Sequence, residues 1–373
     1  MWKKLLLAIV MLLLVVVATV YFRYGGGEAY PDVTTTPLLP ESALEVAVQY
    51  PEPIGNVAVA EDGRIFFTAH PEARPVGPHL LVFDKGSSTA FPDRESQSLF
   101  ETPLGVAIDR QQRLWVIDFG THGFGNPTLF AFDIDSGKKL IEHEFKSDVA
   151  PLGSMLQDLQ VSPDGKWVYI ADVSFWRKSP GLVVYDVEND AAWRMLDDHP
   201  SVQAQDWIIE TPEKKMEFFG GLAALKPGVD GIALSRDGEW LYYGAMTHDT
   251  LYRVPSSLLR DGAQRHVIEN AIENLGPKPL NDGMSTDDIG SVYITDVEHG
   301  GVMVHQPDGK LLTLVKSDDI RWADALSFGP DGWLYIADSA IPQMMLRPRD
   351  EIREAAPYTI WKLKLPVNPP AGQ

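Results

Sequence analysis

LQDLQVSPDGKWVYIAD (Leu156–Asp172) reads as an apolar run, a Ser-Pro-Asp-Gly turn, a second apolar run and a closing Asp. Two β-rich runs joined by a Gly-bearing turn that permits positive φ form a β-hairpin. The same phrase returns five times: IGNVAVAEDGRIFFTAH (Ile54–His70), PLGVAIDRQQRLWVID (Pro103–Asp118), VDGIALSRDGEWLYYGA (Val229–Ala245), NDGMSTDDIGSVYITD (Asn281–Asp296) and ADALSFGPDGWLYIAD (Ala323–Asp338). Its turn position falls at Gly63, Gln112, Gly165, Gly238, Gly290 and Gly332, giving spacings of 49, 53, 73, 52 and 42 residues. A period of roughly 40–50 residues with four strands per unit is that of a β-propeller.

The expected architecture is therefore an all-β, six-bladed β-propeller over residues 43–367. HLLVFDK, TLFAFDI, GLVVYDV, TLYRVP and GVMVHQPDG supply third strands, from His79, Thr128, Gly181, Thr250 and Gly301. KLIEHEF, AAWRML, RHVIEN and LLTLVK supply fourth strands. The sixth blade has a third strand, YTIWKLKL (Tyr358–Leu365), and then little chain remains. ALEVAVQY (Ala43–Tyr50) is the expected outer strand of that blade, which would join the ring and remove an open edge. Residues 368–373 read as a C-terminal tail.

Ahead of the propeller, Leu5–Phe22 is an uncharged apolar run of 18 residues preceded by Lys3 and Lys4. Its length is enough to cross a bilayer, and the lysines hold the N-terminus inside. Residues 1–24 read as a signal anchor, with a cleaved signal peptide as the alternative; bulky residues at the end of the run disfavour cleavage. Either reading puts the propeller outside the cytoplasmic membrane. Residues 25–42, with Gly25–Gly27 and a Pro/Thr-rich stretch, read as a flexible tether.

The chain has no cysteine, which removes disulfides, thiolate metal sites and a Cys nucleophile. A formal charge of −20 argues against nucleic-acid binding, which needs a basic face. No phosphate-cradling loop or G-x-S-x-G elbow occurs, and neither a nucleotide nor a haem is expected.

The blades serve as an internal comparison. Asp118, Asp172, Asp296 and Asp338 close second strands, and Asp62, Asp164, Asp237 and Asp331 sit in hairpin turns; repetition marks both sets as turn formers. The start of the innermost strand differs from blade to blade: Gly55, Leu104, Gln157, Asp230, Asp282 and Asp324. With Asn56, Asp158 and Asn281 adjacent, these positions crowd carboxylates around one end of the central channel. Like charges that close call for a cation or a proton. Oxygen ligands suit a hard ion, Ca²⁺ or Mg²⁺. The alternative is that each Asp caps its own loop. Asn56, Asp158, Asp230, Asn281 and Asp324 are the candidate ligand-binding residues, together with His248 and His299 on loops of blades four and five. Two insertions stand out: Asp197–Gly228, as a lid or as blade packing, and Ile341–Pro357, as a short helix with a basic front.

The blade wording resembles the major royal jelly and yellow protein family in its bacterial branch. The resemblance is carried by QDLQVSPDGKWVYIADVSFWRKSPGLVVYDVEN with HPSV (Gln157–Val202), VDGIALSRDGEWLYYGAMTHDTLYRVPSSLLRD (Val229–Asp261) and RWADALSFGPDGWLYIADSA (Arg321–Ala340). It implies a six-bladed ring and either binding of a small amine in the channel or a dopachrome-tautomerase-like activity. A looser resemblance runs to the gluconolactonase and regucalcin family, whose N-G-L and D-G-M motifs surround a divalent cation. Here the matching places are Asp230-Gly231, Asp282-Gly283-Met284 and Asp158, while Gly55-Asn56 stands where that family has a Glu ligand. That resemblance implies a metal-dependent lactonase with Asp158, Asp230 and Asp282 as metal ligands and Asp282 as base or shared ligand. The expected function is thus an extracytoplasmic propeller binding a small organic ligand, cationic or aromatic, at the channel mouth; the alternatives are a lactonase, a tautomerase or a protein-interaction scaffold.

Overall fold

The computed structural model describes residues 2–372. After an N-terminal helix (Trp2–Tyr24), six four-stranded antiparallel sheets follow one another in a ring. Their innermost strands are Ile54–Val59, Pro103–Ile108, Leu156–Val161, Val229–Leu234, Met284–Thr286 and Ala323–Phe328. Blade three shows the pattern: Leu156–Val161, Trp167–Asp172, Gly181–Asp186 and Ala191–Met195 lie in sequence order from axis to rim. In blade six the outermost position is taken by Glu45–Tyr50, which pairs antiparallel with Tyr358–Lys364.

One strand assignment changes. RHVIEN (Arg265–Asn270) is a helix, and Glu273–Pro277 is the fourth strand of blade four. Arg265 reaches Glu269 one turn on at 2.6 Å, and the buried residue of the segment is Ile268 alone. A strand needs alternate burial, which this segment lacks.

Apolar layers fill the spaces between neighbouring blades, as where Trp115, Leu129 and Ile117 of blade two meet Leu159, Val168 and Ile170 of blade three. At the axis the packing is tighter still. A Cβ on Gly231 would lie 2.3 Å from the Asp282 carbonyl oxygen, and one on Gly283 would lie 2.4 Å from that of Asp324. Each Asp-Gly pair therefore has a steric cause: glycine lets one inner strand abut the backbone of the next blade.

The first residues of the inner strands define the top face, to which the loops after second and fourth strands also belong. The insertion 197–228 crosses this face. Its Ile209, Met216 and Leu225 share one buried cluster with Ala73 of blade one, Met246, Leu280 and Val297 of blades four and five, and Trp322, Ile341 and Met344 of blade six. Of the two expected roles the structure assigns it that of a cap. Ile341–Pro357 contributes two short helices, Ile341–Met344 and Arg349–Glu354, to the same cap. At the bottom, the Gly372 N–H bonds the Phe328 carbonyl at 2.8 Å and its carbonyl accepts from Ile108 at 2.8 Å, so the tail closes that end. Gln373 lies outside the described residues.

Residues 25–42, expected as a flexible tether, lie along the ring. Glu28–Ala29 pairs in parallel with Trp207–Ile208 of the cap. Leu38 and Leu39 donate to the carbonyls of Thr313 and Leu314 at 2.9 Å, covering the edge strand of blade five. An open strand edge offers unpaired backbone groups, and this segment satisfies them.

Gly231→Ala should therefore destabilise the ring by about 1–3 kcal/mol, the usual cost of overpacking. Thermal unfolding checks this; an unchanged midpoint would mean that the blades can separate at the axis.

Candidate functional site

The top ends of the inner strands carry β-bulges, at Leu156/Asp158, Val229/Ile232 and Ala323/Ala325 among others. A bulge bends its strand and re-aims side chains, and here it occurs where the strands bear their carboxylates. Asp158, Asp230, Asp282 and Asp324 form one electrostatically linked group. Burial pushes Asp158 up to about 7, with the charge of Asp282 adding to the effect. Asp230 and Asp324 are held well above the ordinary carboxylate range by burial, and by Asp282 next. Burial also takes Asp282 to about 7, against the lowering effect of hydrogen bonds from Trp322 and Asp230. The hydrogen bond between these two raises Asp230 and lowers Asp282.

The Trp322 indole N–H donates to Asp282 Oδ2 at 2.7 Å. Asp158 Oδ1 accepts the Leu159 N–H at 3.0 Å, with Asn56 Nδ2 farther off at 3.5 Å. His70 Nε2 lies 3.6 Å from Asp324 Oδ2, and His70 Nδ1 accepts the Glu72 N–H at 3.2 Å. Burial lowers His70 to about 4, so at neutral pH it is an uncharged imidazole with its proton toward Asp324. Asn281 is fully buried; its amide N–H bonds the Asp282 carbonyl at 2.9 Å, while among the described residues its Oδ1 has no partner. A cavity of about 10 Å³, room for roughly one water, lies on the axis between Asn56, Asp158, Gln160 and Gly372.

Asp158, Asp230, Asp282, Asp324, Asn56 and Asn281 thus belong to one axial neighbourhood. His248 and His299 do not join it. His248 Nδ1 accepts the Thr250 N–H at 3.0 Å and faces Asp249 at 3.2 Å, and burial lowers it to about 4. His299 Nδ1 pairs with Asp296 at 3.0 Å. Both histidines, expected as ligand-binding residues, brace their own loops. His70 and Trp322 were missed because each is a single residue at the edge of a repeat phrase, brought to the aspartates by ring closure.

The residues expected to ligate a metal, Asp158, Asp230 and Asp282, fall in this axial group. All-oxygen donors have the chemistry of a hard-cation site. Among the described residues, however, no group of three or more His, Cys, Asp or Glu is arranged to hold a metal ion. The Trp322 N–H engages Asp282. The repeated aspartates behave as expected: Asp118, Asp172 and Asp338 accept backbone N–H bonds from Thr102, Met155 and Trp322 respectively.

A carboxylate that folds at about 7 and unfolds near 4 binds more protons when folded. Stability is then greatest in acid and falls as pH rises from about 4 to about 7, by up to about 4 kcal/mol for one such group. The chelated protein should melt higher at pH 5 than at pH 8. Asp230→Asn should flatten that slope and raise the midpoint at pH 8. A calcium-dependent gain that Asp230→Asn removes would show coordination instead.

The comparisons agree with this architecture. Residues 102–319 match the family model "Major royal jelly protein". Major royal jelly protein 1 of Apis mellifera is 28% identical over 186 residues, 46% of this chain and 40% of the relative. Protein yellow of Drosophila melanogaster is 24% identical over 254 residues, 60% of this chain and 43% of the relative. The chain spans less than half the length of these relatives. Among solved structures, the calcium-binding protein regucalcin from Agrobacterium tumefaciens superposes with a TM-score of 0.59 at 15% identity, covering 91% of this chain and 100% of that one. A gluconolactonase from Xanthomonas campestris gives 0.57 at 18%, covering 92% and 97%. These two likenesses concern the fold. With the repeat phrases matched across more than half its length, the chain belongs to the major royal jelly protein family.

Proposed function

We propose that this chain is a membrane-anchored, extracytoplasmic propeller that binds a small cationic organic ligand at the top end of its channel, beneath the cap. The carrying observation is the group of four aspartates, gathered at the ends of the inner strands, whose carboxyls burial and mutual repulsion hold above the ordinary carboxylate range. A cation entering such a group relieves the repulsion, lowers the carboxylate pKa values and releases protons. The unpartnered Asn281 Oδ1 supplies an acceptor for an ammonium N–H. The axial cavity of about 10 Å³ is too small for an organic amine, so entry requires the cap to lift. Polar ties hold the cap where it would open, among them the Glu210 N–H on Glu298 Oε1 at 2.8 Å and the Gln205 N–H on the Thr247 carbonyl at 2.9 Å. The anchor is the N-terminal helix of 23 residues, whose 18-residue apolar window has a mean hydropathy of 3.0 and is nowhere buried.

Titration calorimetry with a panel of amines and catechols tests this reading. Heats that vary with the ionisation enthalpy of the buffer, and binding that tightens between pH 6 and pH 8, are expected. Uniform absence of heat across the panel would sink it.

The Asp230–Asp282 pair favours a second reading. A protonated and an ionised carboxylate side by side form an acid–base pair. Asp282 would abstract a proton from a bound substrate and Asp230 would return one, a net isomerisation of the tautomerase kind. Asp282→Asn should then abolish turnover and remove the ascending limb of the pH–rate profile. Full activity in that variant would exclude Asp282 as the base.

A further inference from the structure

The end of the N-terminal helix is fastened to the top face of the propeller. Arg23 Nη2 donates to the Arg177 carbonyl and Tyr24 Oη to the Trp176 carbonyl, both at 2.7 Å. The Tyr24 ring lies 6.1 Å from that of Trp176 and 6.2 Å from that of Phe175. Lys226 of the cap holds the Gly25 carbonyl at 2.9 Å, and Glu28 is already paired with Trp207. No slack separates the helix from the ring.

The same face carries exposed apolar side chains on separate loops. Phe124, Leu152 and Phe219 are each 74% exposed, Val76 is 67%, Leu346 is 63% and Trp176 is 46%. They come from the loops after the second strands of blades one, two, three and six, from the loop leading into blade three, and from the cap. Large apolar residues scattered singly over a surface need no explanation, but a set gathered at one end of a ring does.

We propose that the top face of the propeller docks on the phospholipid bilayer that holds its helix, inserting these loop tips at the headgroup level. This rests on the anchor reading above. A membrane-embedded helix that leaves the ring at Tyr24 brings the neighbouring loops to the interface, where Trp and Tyr side chains are favoured. At a formal charge of −20 the contact is made by apolar insertion rather than by attraction to anionic lipid. The pose turns the capped mouth of the channel toward the membrane and the tail-sealed end toward the solvent.

The chain has no cysteine, so single thiols can be placed at will. The full chain, reconstituted in phosphatidylcholine nanodiscs, would carry an environment-sensitive fluorophore at Phe124→Cys, Leu152→Cys, Phe219→Cys or Leu346→Cys. Ile289→Cys, in the exposed bottom hairpin turn of blade five, is the aqueous reference, and Leu13→Cys reports the anchor. Docking predicts blue-shifted emission at the four loop tips and quenching by lipid-borne nitroxide, at a depth of roughly 5–10 Å into the headgroup–acyl boundary, with Ile289→Cys unaffected. If Leu13→Cys is quenched while the tips resemble Ile289→Cys, docking is overturned and the anchor stands. If Leu13→Cys is also unquenched, the anchor reading falls and docking with it. Shielded tips that lipid nitroxide does not quench would assign the face to a second copy or another protein, and would also overturn docking.

Discussion

Six inner strands converge on one axis, and at that axis the backbone of one blade stands where a side chain of its neighbour would otherwise be. Gly231 and Gly283 make this approach possible, and the residues whose carbonyls they meet are Asp282 and Asp324. The contact that closes the ring thereby sets the positions of the carboxylates. Each aspartate is drawn out of water by the packing of the blade beside it. Separation of the blades would relieve the crowding at the cost of the apolar layers between them.

Crowded carboxylates with little water have few stable states. They can share protons or take up a positive charge from outside. The indole of Trp322 favours ionisation of Asp282, which separates the roles of two chemically identical neighbours. The neutral His70 beside Asp324 adds a polar partner without adding charge. The cluster is thus held short of full ionisation at neutral pH. Binding and proton transfer are two uses of that one physical condition, and they differ in whether a substrate atom lies within reach of Asp282.

The two ends of the channel are treated differently. The tail closes the bottom through backbone hydrogen bonds at the ends of two inner strands. The top is closed by an apolar cap whose polar ties run to loops of blades four and five. The segment joining helix to ring is spent on the same face, where it extends the cap by one strand and covers the edge of blade five. Helix, cap and site are therefore mechanically connected.

Much of this was legible in the amino-acid order, because a propeller is built from local hairpins. Asp-Gly turns and alternating runs specify each hairpin from neighbouring residues, and their period counts the blades. The axial aspartates were visible as departures from the repeat, since Asp230, Asp282 and Asp324 occupy equivalent places in their blades and Asp158 stands one residue beyond that place in its own. What lay beyond the sequence was every relation between blades. Whether four carboxylates coordinate an ion or share protons depends on distances set by ring closure. The approach of His70 and Trp322 joins residues some 250 positions apart in the chain to a common axis, and no local pattern records it. RHVIEN was misread because six residues do not separate a short amphipathic helix from a rim strand. The tether was misread because its Gly, Pro and Thr composition speaks of flexibility, while the open strand edge that orders it belongs to blade five. Local hydrogen bonding and periodicity determined the elements and their number; long-range packing alone decided which side chains meet and in what state of protonation.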